Sequence, residues 1–176
     1  MKIVLVMVQS VNGKITRDDE RDIYKWTSKE DADFFVSLLK QSPLIIMGSG
    51  TYEAARDKIK PTPGQLRIVL TKNPEKYRNT QVENQLEFRN TPPIVLVREL
   101  ADKGRDTLLL VGGGEVNKSF FEAGLVDELY LTLEPKLFGN GKLVVAEGKF
   151  EKSLTLLSSK ILNAQGSLLL HYAVTK

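Results

Sequence analysis

Short apolar runs recur along this chain, and several of them carry an apolar residue at every position. Such runs are typical of strands in a sheet that is covered on both faces, as parallel strands usually are. The runs that predict strands are residues 3–8, 44–47, 67–70, 108–111, 128–133 and 168–174. Because helical patterns lie between the earlier runs, the sequence predicts an α/β protein.

The clearest helical pattern covers residues 28–41, where apolar side chains recur at spacings of three and four residues. Ser28 is the predicted N-cap of this helix, and Pro43 follows its end. The other predicted helices cover 115–124, a short segment that begins near residue 50, and 92–104. The last segment is ambiguous in its apolar pattern, but prolines at its start and a glycine at its end favour a helix.

The last third of the chain differs from the rest, because apolar segments follow one another there with little helix between them. Residues 142–145 and 153–159 add two predicted strands to 128–133 and 168–174. This order predicts a mostly parallel sheet with antiparallel strands at its C-terminal end. The chain has 176 residues, and no composition break or repeat divides it, so we expect one domain over residues 1–176.

Composition excludes several kinds of chemistry. The chain has no cysteine and a single histidine, His171. Disulfides, cysteine-bound metals and a thiol nucleophile are therefore excluded, and one imidazole provides no cluster for a metal ion. No metal site is predicted. The remaining candidates for chemistry are carboxylates, lysines, hydroxyls and a bound organic cofactor.

The charge pattern gives no indication of a nucleic-acid-binding face. The net charge of +3 is a small difference between 25 Lys and Arg residues and 22 Asp and Glu residues. Acidic residues interrupt the basic ones, as they do between residues 17 and 25. The apolar N-terminal run stops at Gln9 without a cleavage site, and no run approaches the ~20 residues of a membrane span. We therefore expect a cytoplasmic protein whose partners include neither nucleic acid nor a membrane.

Two glycine-rich turns connect a predicted strand directly to a predicted helix, at residues 44–54 and 108–120. Glycine permits positive φ and close approach of the backbone, and a helix N-terminus presents unpaired N–H groups, so each turn can hold a phosphate. Neither turn matches the Rossmann or the Walker pattern, and a tight turn without a ligand explains either one alone. Two such turns at the carboxyl ends of strands in one sheet favour a bound nucleotide with two phosphates.

Four segments match one family in order: QSVNGKI (9–15), IIMGSGTYE (45–53), LLLVGGGEVNKSFFEAG (108–124) and VDELYLTLEPKLFGNGK (126–142). They resemble the dihydrofolate reductase-like superfamily, and within it the reductase domain of riboflavin biosynthesis. The resemblance implies a three-layer α/β/α fold and an NADPH-dependent oxidoreductase that acts on a small molecule. It also implies a homodimer, for which the apolar segment 168–174 is a candidate surface. The zinc deaminase often fused to riboflavin reductases has no counterpart in this sequence, which predicts a stand-alone reductase.

The resemblance also implies which residues bind NADPH. Gly48 and Thr51 correspond to the family's first phosphate loop. Thr71 and Lys72 follow a strand where similar proteins bind the adenosine 2′-phosphate, and a hydroxyl with an ammonium suits a phosphate dianion. Ordinary solvation of a strand end explains Lys72 equally well. The second phosphate loop comprises Gly112, Gly113, Gly114, Glu115 and Val116.

One substrate that the resemblance implies is a 5-amino-6-(5-phosphoribosylamino)pyrimidine, whose ribosylamino group accepts a hydride at C1′ and becomes ribitylamino. Glu134 is then the predicted catalytic acid beside the ribose, with Lys14 as a second catalytic candidate near the reacting carbon. An ion pair with Lys136 is the alternative explanation of Glu134. Asn12 and Thr132 are predicted to contact the substrate. The cations available for its 5′-phosphate are Lys14, Arg17, Arg21 and Lys25, unless this loop is merely solvated.

Dihydrofolate is the alternative substrate. The segment WTSKEDADFF (26–35) resembles the tryptophan of folate reductases and the pterin-binding acid five residues later, which makes Asp31 that acid. Asp31 is also the third residue after the predicted N-cap Ser28, so a capping interaction explains it without a ligand. A nucleotide- or pterin-binding protein without catalytic activity, built on the same fold, is a third possibility.

Overall fold

A computed structural model describes residues 1–18 and 25–175 of the chain. Its strands are β1 (Lys2–Ser10), β2 (Leu44–Gly48), β3 (Leu66–Leu70), β4 (Leu86–Arg89), β5 (Thr107–Leu110), β6 (Glu128–Glu134), β7 (Leu154–Ile161) and β8 (Leu168–Val174). They form one sheet in the order β4-β3-β2-β5-β1-β6-β8-β7. The pairs from β4 to β6 are parallel, whereas β8 is antiparallel to both β6 and β7.

The described parts of the connections contain four α-helices. These are α1 (Lys29–Gln41), α2 (Ser49–Ala55), α3 (Pro93–Asp102) and α4 (Gly114–Glu122), with short 3-10 helices at Arg56–Lys58 and Pro74–Thr80. Ser28 caps α1, because its hydroxyl accepts from the backbone N–H of Asp31. Within residues 1–18 and 25–175, none of the helices has the length and apolar character needed to cross a membrane.

Different helices cover the two faces of the sheet. On one face, Leu96 of α3 and Phe120 of α4 belong to a buried apolar cluster. On the opposite face, Phe35 of α1 and Tyr52 of α2 pack in a second cluster. Strand β2 contributes side chains to both clusters, and all five of its residues are buried. Burial on both faces explains why its sequence is apolar without alternation.

This architecture confirms the predicted three-layer α/β/α fold, with a mostly parallel sheet and antiparallel C-terminal strands. The ambiguous segment 92–104 contains helix α3, as predicted. The strand predicted over 142–145 was wrong, because the pairing found there is an isolated bridge between Lys14 and Leu143. Strand β4 was missed because it has only four residues, two of which, Glu87 and Arg89, are charged.

Strand β7 forms one outer edge of the sheet and leaves large apolar side chains accessible. Leu156 is 51% exposed and Ile161 is 71% exposed. Strand β8, by contrast, is paired on both sides. The accessible apolar surface of the C-terminal hairpin is therefore provided mainly by β7, rather than by residues 168–174 alone.

The parallel strands bring several predicted site residues to one edge of the sheet. Strands β1 and β6 run side by side, with Ser10 opposite Glu134 at their carboxyl ends. The backbone N–H of Gly48, at the end of β2, donates to the carbonyl of Gly112, just beyond β5. The predicted catalytic acid and both glycine loops consequently lie at the carboxyl edge, where open α/β sheets bind their ligands.

Candidate active site

Two elements that are far apart in the sequence form a buried polar cluster. Thr132 and Glu134 lie two residues apart on β6 and therefore face the same side of the sheet, with exposures of 1% and 2%. The first turn of α1 provides Asp31, which is 7% exposed. The Thr132 hydroxyl hydrogen-bonds the Asp31 carboxyl group, and the charge of Glu134 acts on it.

Both carboxylate oxygens of Glu134 accept hydrogen bonds from the protein. Oε1 accepts from the backbone N–H of Ser28 at 2.7 Å, and Oε2 accepts from the Ser167 hydroxyl at 2.6 Å. Ser167 precedes β8, and its backbone N–H donates to Asn163 Oδ1 at 3.1 Å. Glu134 is thus fixed between the start of α1 and the turn before β8 by two serines, and not by an ion pair with Lys136.

The carboxylate of Asp31 does not act as a reciprocal cap of α1. The Ser28 hydroxyl accepts from the backbone N–H of Asp31 at 3.3 Å, as the capping prediction requires. The Ser28 N–H, which such a cap would bind in return, donates to Glu134 instead. The backbone of Asp31 therefore takes part in capping, while its side chain belongs to the polar cluster with Thr132.

Burial raises the pKa of the Asp31 carboxyl group to about 6, because its charged form loses hydration. The hydrogen bond from Thr132 lowers the pKa, and the nearby charge of Glu134 raises it further. A carboxyl group with this pKa changes its protonation close to neutral pH. It can therefore hold or deliver a proton in a reaction.

Trp26 lies two residues before Ser28 and is 3% exposed. Its ring meets Phe138 edge-on, with 5.1 Å between the ring centroids. The indole Nε1 is buried and has no hydrogen-bond partner among the residues that the structure describes. An unpaired buried N–H is costly, so an acceptor atom of a ligand or water would be stabilising at this position.

Asn12, a predicted substrate-binding residue, uses both of its amide atoms within the protein. Its Nδ2 donates to the Phe138 carbonyl at 2.7 Å. Its Oδ1 accepts from the Ser10 hydroxyl at 2.8 Å and from the Phe138 N–H at 3.2 Å. The structure thus places Asn12 in a contact between two loops.

The predicted phosphate-binding cations differ in their exposure to solvent. Lys14 is half-buried and pairs through its backbone with Leu143. Arg17 and Lys25 are exposed. Arg21 lies outside the described residues.

The two glycine loops touch each other. The N–H of Gly48 donates to the Gly112 carbonyl at 2.7 Å. A Cβ atom on Gly48 would lie 2.8 Å from Val116 Cγ2, and one on Gly113 would lie 3.2 Å from Thr51 Oγ1. Gly112 has a φ of +87°, which favours glycine. The turns that the sequence predicts separately therefore form one continuous surface.

The residues of this surface fit a ligand with phosphate groups. Helix α4 begins there without a side-chain cap, so the N–H groups of its first turn are free to bind an anion. A Cβ atom on Gly50, at the start of α2, would meet nothing within 4 Å, so the space beside it is open. Glu115 is exposed on the first turn of α4, and its backbone N–H, rather than its carboxylate, suits a phosphate.

Thr71 and Lys72 lie directly after β3, at the same sheet edge as Gly48, because Gly48 pairs with Leu70. The Thr71 hydroxyl accepts from the Asn73 N–H at 3.2 Å, and Lys72 is exposed. A hydroxyl and a solvent-facing ammonium at this position suit a phosphate monoester.

Sequence reasoning did not identify Ser167 or Phe138 as site residues. Ser167 reaches Glu134 across 33 positions of the chain, and no motif marks this contact. Phe138 lies within a segment that resembles the family, but its contact with Trp26 depends on how two loops pack. Among residues 1–18 and 25–175, no group of three His, Cys, Asp or Glu side chains is placed to hold a metal ion.

Comparison with known proteins finds a matching family model and similar sequences. A family model described as the RibD C-terminal domain matches residues 1–166. The uncharacterized protein YwjB of Bacillus subtilis (strain 168) is 23% identical over 164 residues, which cover 90% of this chain and 91% of YwjB.

Two examples represent the solved structures that share this fold. A pyrimidine reductase-like protein from Corynebacterium diphtheriae has a TM-score of 0.79 at 15% identity, covering 99% of this chain and 92% of that protein. Dihydrofolate reductase from Enterococcus faecalis, complexed with NADP(H) and RAB-propyl, has a TM-score of 0.68 at 22% identity, covering 99% and 97%. These similarities confirm the dihydrofolate reductase-like fold that the four sequence segments predicted.

Proposed function

Because this chain belongs to the RibD C-terminal domain family, we propose that it is an NADPH-dependent reductase of riboflavin biosynthesis. Its proposed substrate is a 5-amino-6-(5-phosphoribosylamino)pyrimidine, whose ribosylamino group becomes ribitylamino. The observation that carries this proposal is the position of two buried carboxyl groups, Asp31 and Glu134, at the same sheet edge as the joined glycine loops. This arrangement supports the delivery of a proton and a hydride to one substrate.

NADPH would supply the hydride. Backbone N–H groups of residues 112–116 would bind its pyrophosphate at the start of α4. Gly48 would let the cofactor approach the backbone closely, but its own N–H is not available because it is donated to Gly112. The Thr51 hydroxyl would form part of the same cofactor-binding surface. Thr71 and Lys72 would bind the 2′-phosphate, which favours NADPH over NADH.

The proposed reduction begins with the opened ribosylamino group, in which C1′ is double-bonded to nitrogen. A hydride adds to C1′ and a proton adds to the nitrogen, so the product is the saturated ribitylamine. We assign the proton to Asp31, whose pKa of about 6 lies near neutral pH. Thr132 orients this carboxyl group. The negative charge of Glu134 favours its protonated form and lies where the ribose hydroxyls would bind.

Lys14 and Arg17 would provide positive charge for the 5′-phosphate of the substrate. Both lie on the loop after β1, whose last residue is opposite Glu134 in the sheet. Lys14→Gln should therefore raise the KM for the phosphorylated substrate by about tenfold. The KM for the dephosphorylated analogue should change little. Equal effects on both substrates would remove Lys14 from phosphate binding.

A direct test combines the protein with NADPH and either the phosphoribosylaminopyrimidine or dihydrofolate, and follows the loss of reduced-nicotinamide absorbance. We expect turnover with the pyrimidine. Lack of turnover with both substrates, together with measurable NADPH binding, would identify a binding protein on the same fold.

Dihydrofolate reduction is the second candidate, and Asp31 is the observation that favours it. A carboxyl group that is buried and oriented by Thr132 can pair with the amino group and ring nitrogen of a pterin through two parallel hydrogen bonds. The same pairing is open to a pyrimidine that keeps a 2-amino group. Turnover with dihydrofolate and none with the pyrimidine phosphate would establish this alternative.

We also propose that the protein forms a homodimer, with β7 in the contact surface. Leu156 and Ile161 of this edge strand are 51% and 71% exposed, and an apolar edge of this kind is a template for pairing. Leu156→Lys should shift the protein to monomers in sedimentation experiments. Val36→Lys makes the same change on α1, where the side chain is 40% exposed, and should leave the dimer intact. A monomeric wild-type protein would contradict this arrangement.

A further inference from the structure

Asn12 joins the loops that follow β1 and β6, whose last residues are Ser10 and Glu134 of the buried polar cluster. It does so through its carboxamide. Its Nδ2 donates to the Phe138 carbonyl at 2.7 Å, and its Oδ1 accepts from the Phe138 N–H at 3.2 Å. The Ser10 hydroxyl also donates to Oδ1, at 2.8 Å. The side chain of Asn12 thus pairs with Phe138 as a neighbouring strand would, with one donated and one accepted hydrogen bond.

Backbone contacts place this pairing inside a longer junction between residues 11–15 and 136–142. The N–H of Val11 donates to the carbonyl of residue 136 at 2.9 Å, and the N–H of Ile15 donates to the carbonyl of residue 142 at 2.8 Å. These bonds hold the two ends of the junction. Between them, Phe138 is held by the side chain of Asn12.

Phe138 connects this junction with the start of α1. Its ring meets Trp26 edge-on, with centroids 5.1 Å apart, and Trp26 is 3% exposed. Trp26 lies two residues before Ser28, whose N–H donates to Glu134. A displacement of Phe138 would open space beside Trp26 and next to the first turn of α1, which carries Asp31.

We propose that Asn12 is a positioning residue that holds Phe138 against Trp26 and thereby fixes the packing beside the first turn of α1, which carries Asp31. It acts without touching the substrate. The inference rests on the proposed function in one respect, because it takes the surroundings of Asp31 as the substrate site. It assigns to Asn12 a role in catalytic geometry in place of a direct substrate contact.

The chemistry of the contact requires asparagine. Aspartate has the same shape but only accepts hydrogen bonds when it is ionised. In Asn12→Asp, a carboxylate oxygen would face the Phe138 carbonyl across the 2.7 Å that Nδ2 now spans. The substitution therefore replaces an attraction by a repulsion at nearly constant volume.

Fluorescence tests this role without substrate or cofactor, because the chain contains a single tryptophan. In Asn12→Asp we expect Trp26 emission to shift to longer wavelength and acrylamide quenching to increase, since the indole loses its cover. We expect kcat to fall by about tenfold to a hundredfold, as displaced catalytic groups lose alignment. The Kd for NADPH should stay at the wild-type value.

Two further variants make the experiment specific. Asn140→Asp places the same charge two residues from Phe138, at an exposed position, and should keep wild-type emission, quenching and kcat. Asn12→Ala removes both bonds to Phe138 without adding repulsion and should give smaller changes in the same direction. It provides the test if circular dichroism shows that Asn12→Asp does not fold.

Unchanged emission and quenching in the folded Asn12 variants would overturn the positioning role. If the substrate KM rose under those conditions, Asn12 would be a direct substrate contact. A fluorescence change in a protein that reduces neither pyrimidine nor dihydrofolate would support the positioning of Trp26 and would contradict only the proposed function.

Discussion

The candidate site has two halves, a glycine-loop surface and a buried polar cluster, and they differ in whether backbone or side chains form them. The glycine-loop surface consists of backbone from two short segments, where Gly48 donates to Gly112 and side chains are kept out by close contacts. The buried polar cluster consists mainly of side chains from β6 and the first turn of α1, and its Glu134 carboxylate accepts from the Ser28 backbone N–H and the Ser167 hydroxyl. We infer that the backbone half holds the cofactor and the side-chain half performs proton chemistry. Substitutions in the buried polar cluster should therefore leave the affinity for NADPH unchanged. Substitutions in the glycine loops should leave the proton chemistry unchanged.

Glu134→Gln should give the largest difference between the effect on kcat and the effect on the Kd for NADPH. This variant keeps the size of the side chain but removes its charge, so the pKa of Asp31 should fall below about 6. We expect kcat at neutral pH to decrease by about a hundredfold, which is typical for the loss of positioned proton transfer. The Kd for NADPH should remain within about twofold of wild type, because the glycine loops are not touched.

The pH profile provides the control for Glu134→Gln. If Asp31 delivers the proton in its protonated form, wild-type kcat falls as pH rises through about 6. In Glu134→Gln this decrease should begin at lower pH. Wild-type turnover with an unshifted profile would remove Glu134 from the mechanism.

Asp31→Asn should stabilise the folded protein at neutral pH while it abolishes proton delivery. Burial raises the pKa of Asp31 from 3.8 to about 6, so the folded state binds the proton more tightly than the unfolded state. The stability that the protonated Asp31 carboxyl group contributes is present below pH ~4 and is lost as pH rises through about 6. Removing the buried charge should thus increase the free energy of unfolding by about 1–3 kcal/mol at neutral pH.

Urea denaturation at neutral pH and near pH 4 measures this effect. The gain should be much smaller at the lower pH, where Asp31 is protonated in the folded state and about half protonated in the unfolded state. Asp33→Asn, on the exposed side of the same helix, should change stability by less than about 0.5 kcal/mol. A gain in Asp31→Asn that is equal at both pH values would show that the buried charge is not its cause.

The smallest effect is expected in the backbone half, where Gly112→Ala and Gly104→Ala form a matched pair. Both glycines have positive φ, +87° and +77°. A Cβ atom on Gly112 would lie 2.9 Å from Met7 Sδ, whereas one on Gly104 would meet nothing within 4 Å. Both variants should lose about 1 kcal/mol of stability from backbone strain.

Only the crowded variant should weaken NADPH binding, by about tenfold, because the loop must shift to admit the methyl group. Calorimetric titration measures the difference. Equal NADPH affinities in Gly112→Ala and Gly104→Ala would place the cofactor elsewhere.

The sequence predicted the glycine-loop surface well, because the pattern that indicates each loop lies within a short segment of the chain. Glycines between an apolar run and a helix are visible as a pattern, and the parallel order of β2 and β5 brings Gly48 and Gly112 together. The same local logic predicted the cap of α1 at Ser28. It did not predict β4, whose four residues depend on pairing with β3 more than on their own apolar character.

The side-chain half was predicted only in its individual members. Asp31, Thr132 and Glu134 were each candidates, but their hydrogen bonds depend on how α1 and the turn before β8 pack on β6. Whether the side chain of Asp31 or only its backbone takes part in capping was open in the sequence, because spacing places a residue without directing its carboxylate. Asn12 shows the same limit, since its residue type is compatible with a substrate contact as well as with the loop contact that it makes.

The proposed reaction of this chain is the delivery of a hydride from NADPH to C1′ of a phosphoribosylaminopyrimidine. The most direct measurement uses NADPH that carries deuterium on the transferred position of the nicotinamide, with the pyrimidine phosphate as substrate and mass spectrometry and NMR of the product. We expect a ribitylamino product with one deuterium on C1′. A product without deuterium at C1′, or transfer from the same cofactor to dihydrofolate alone, would contradict it.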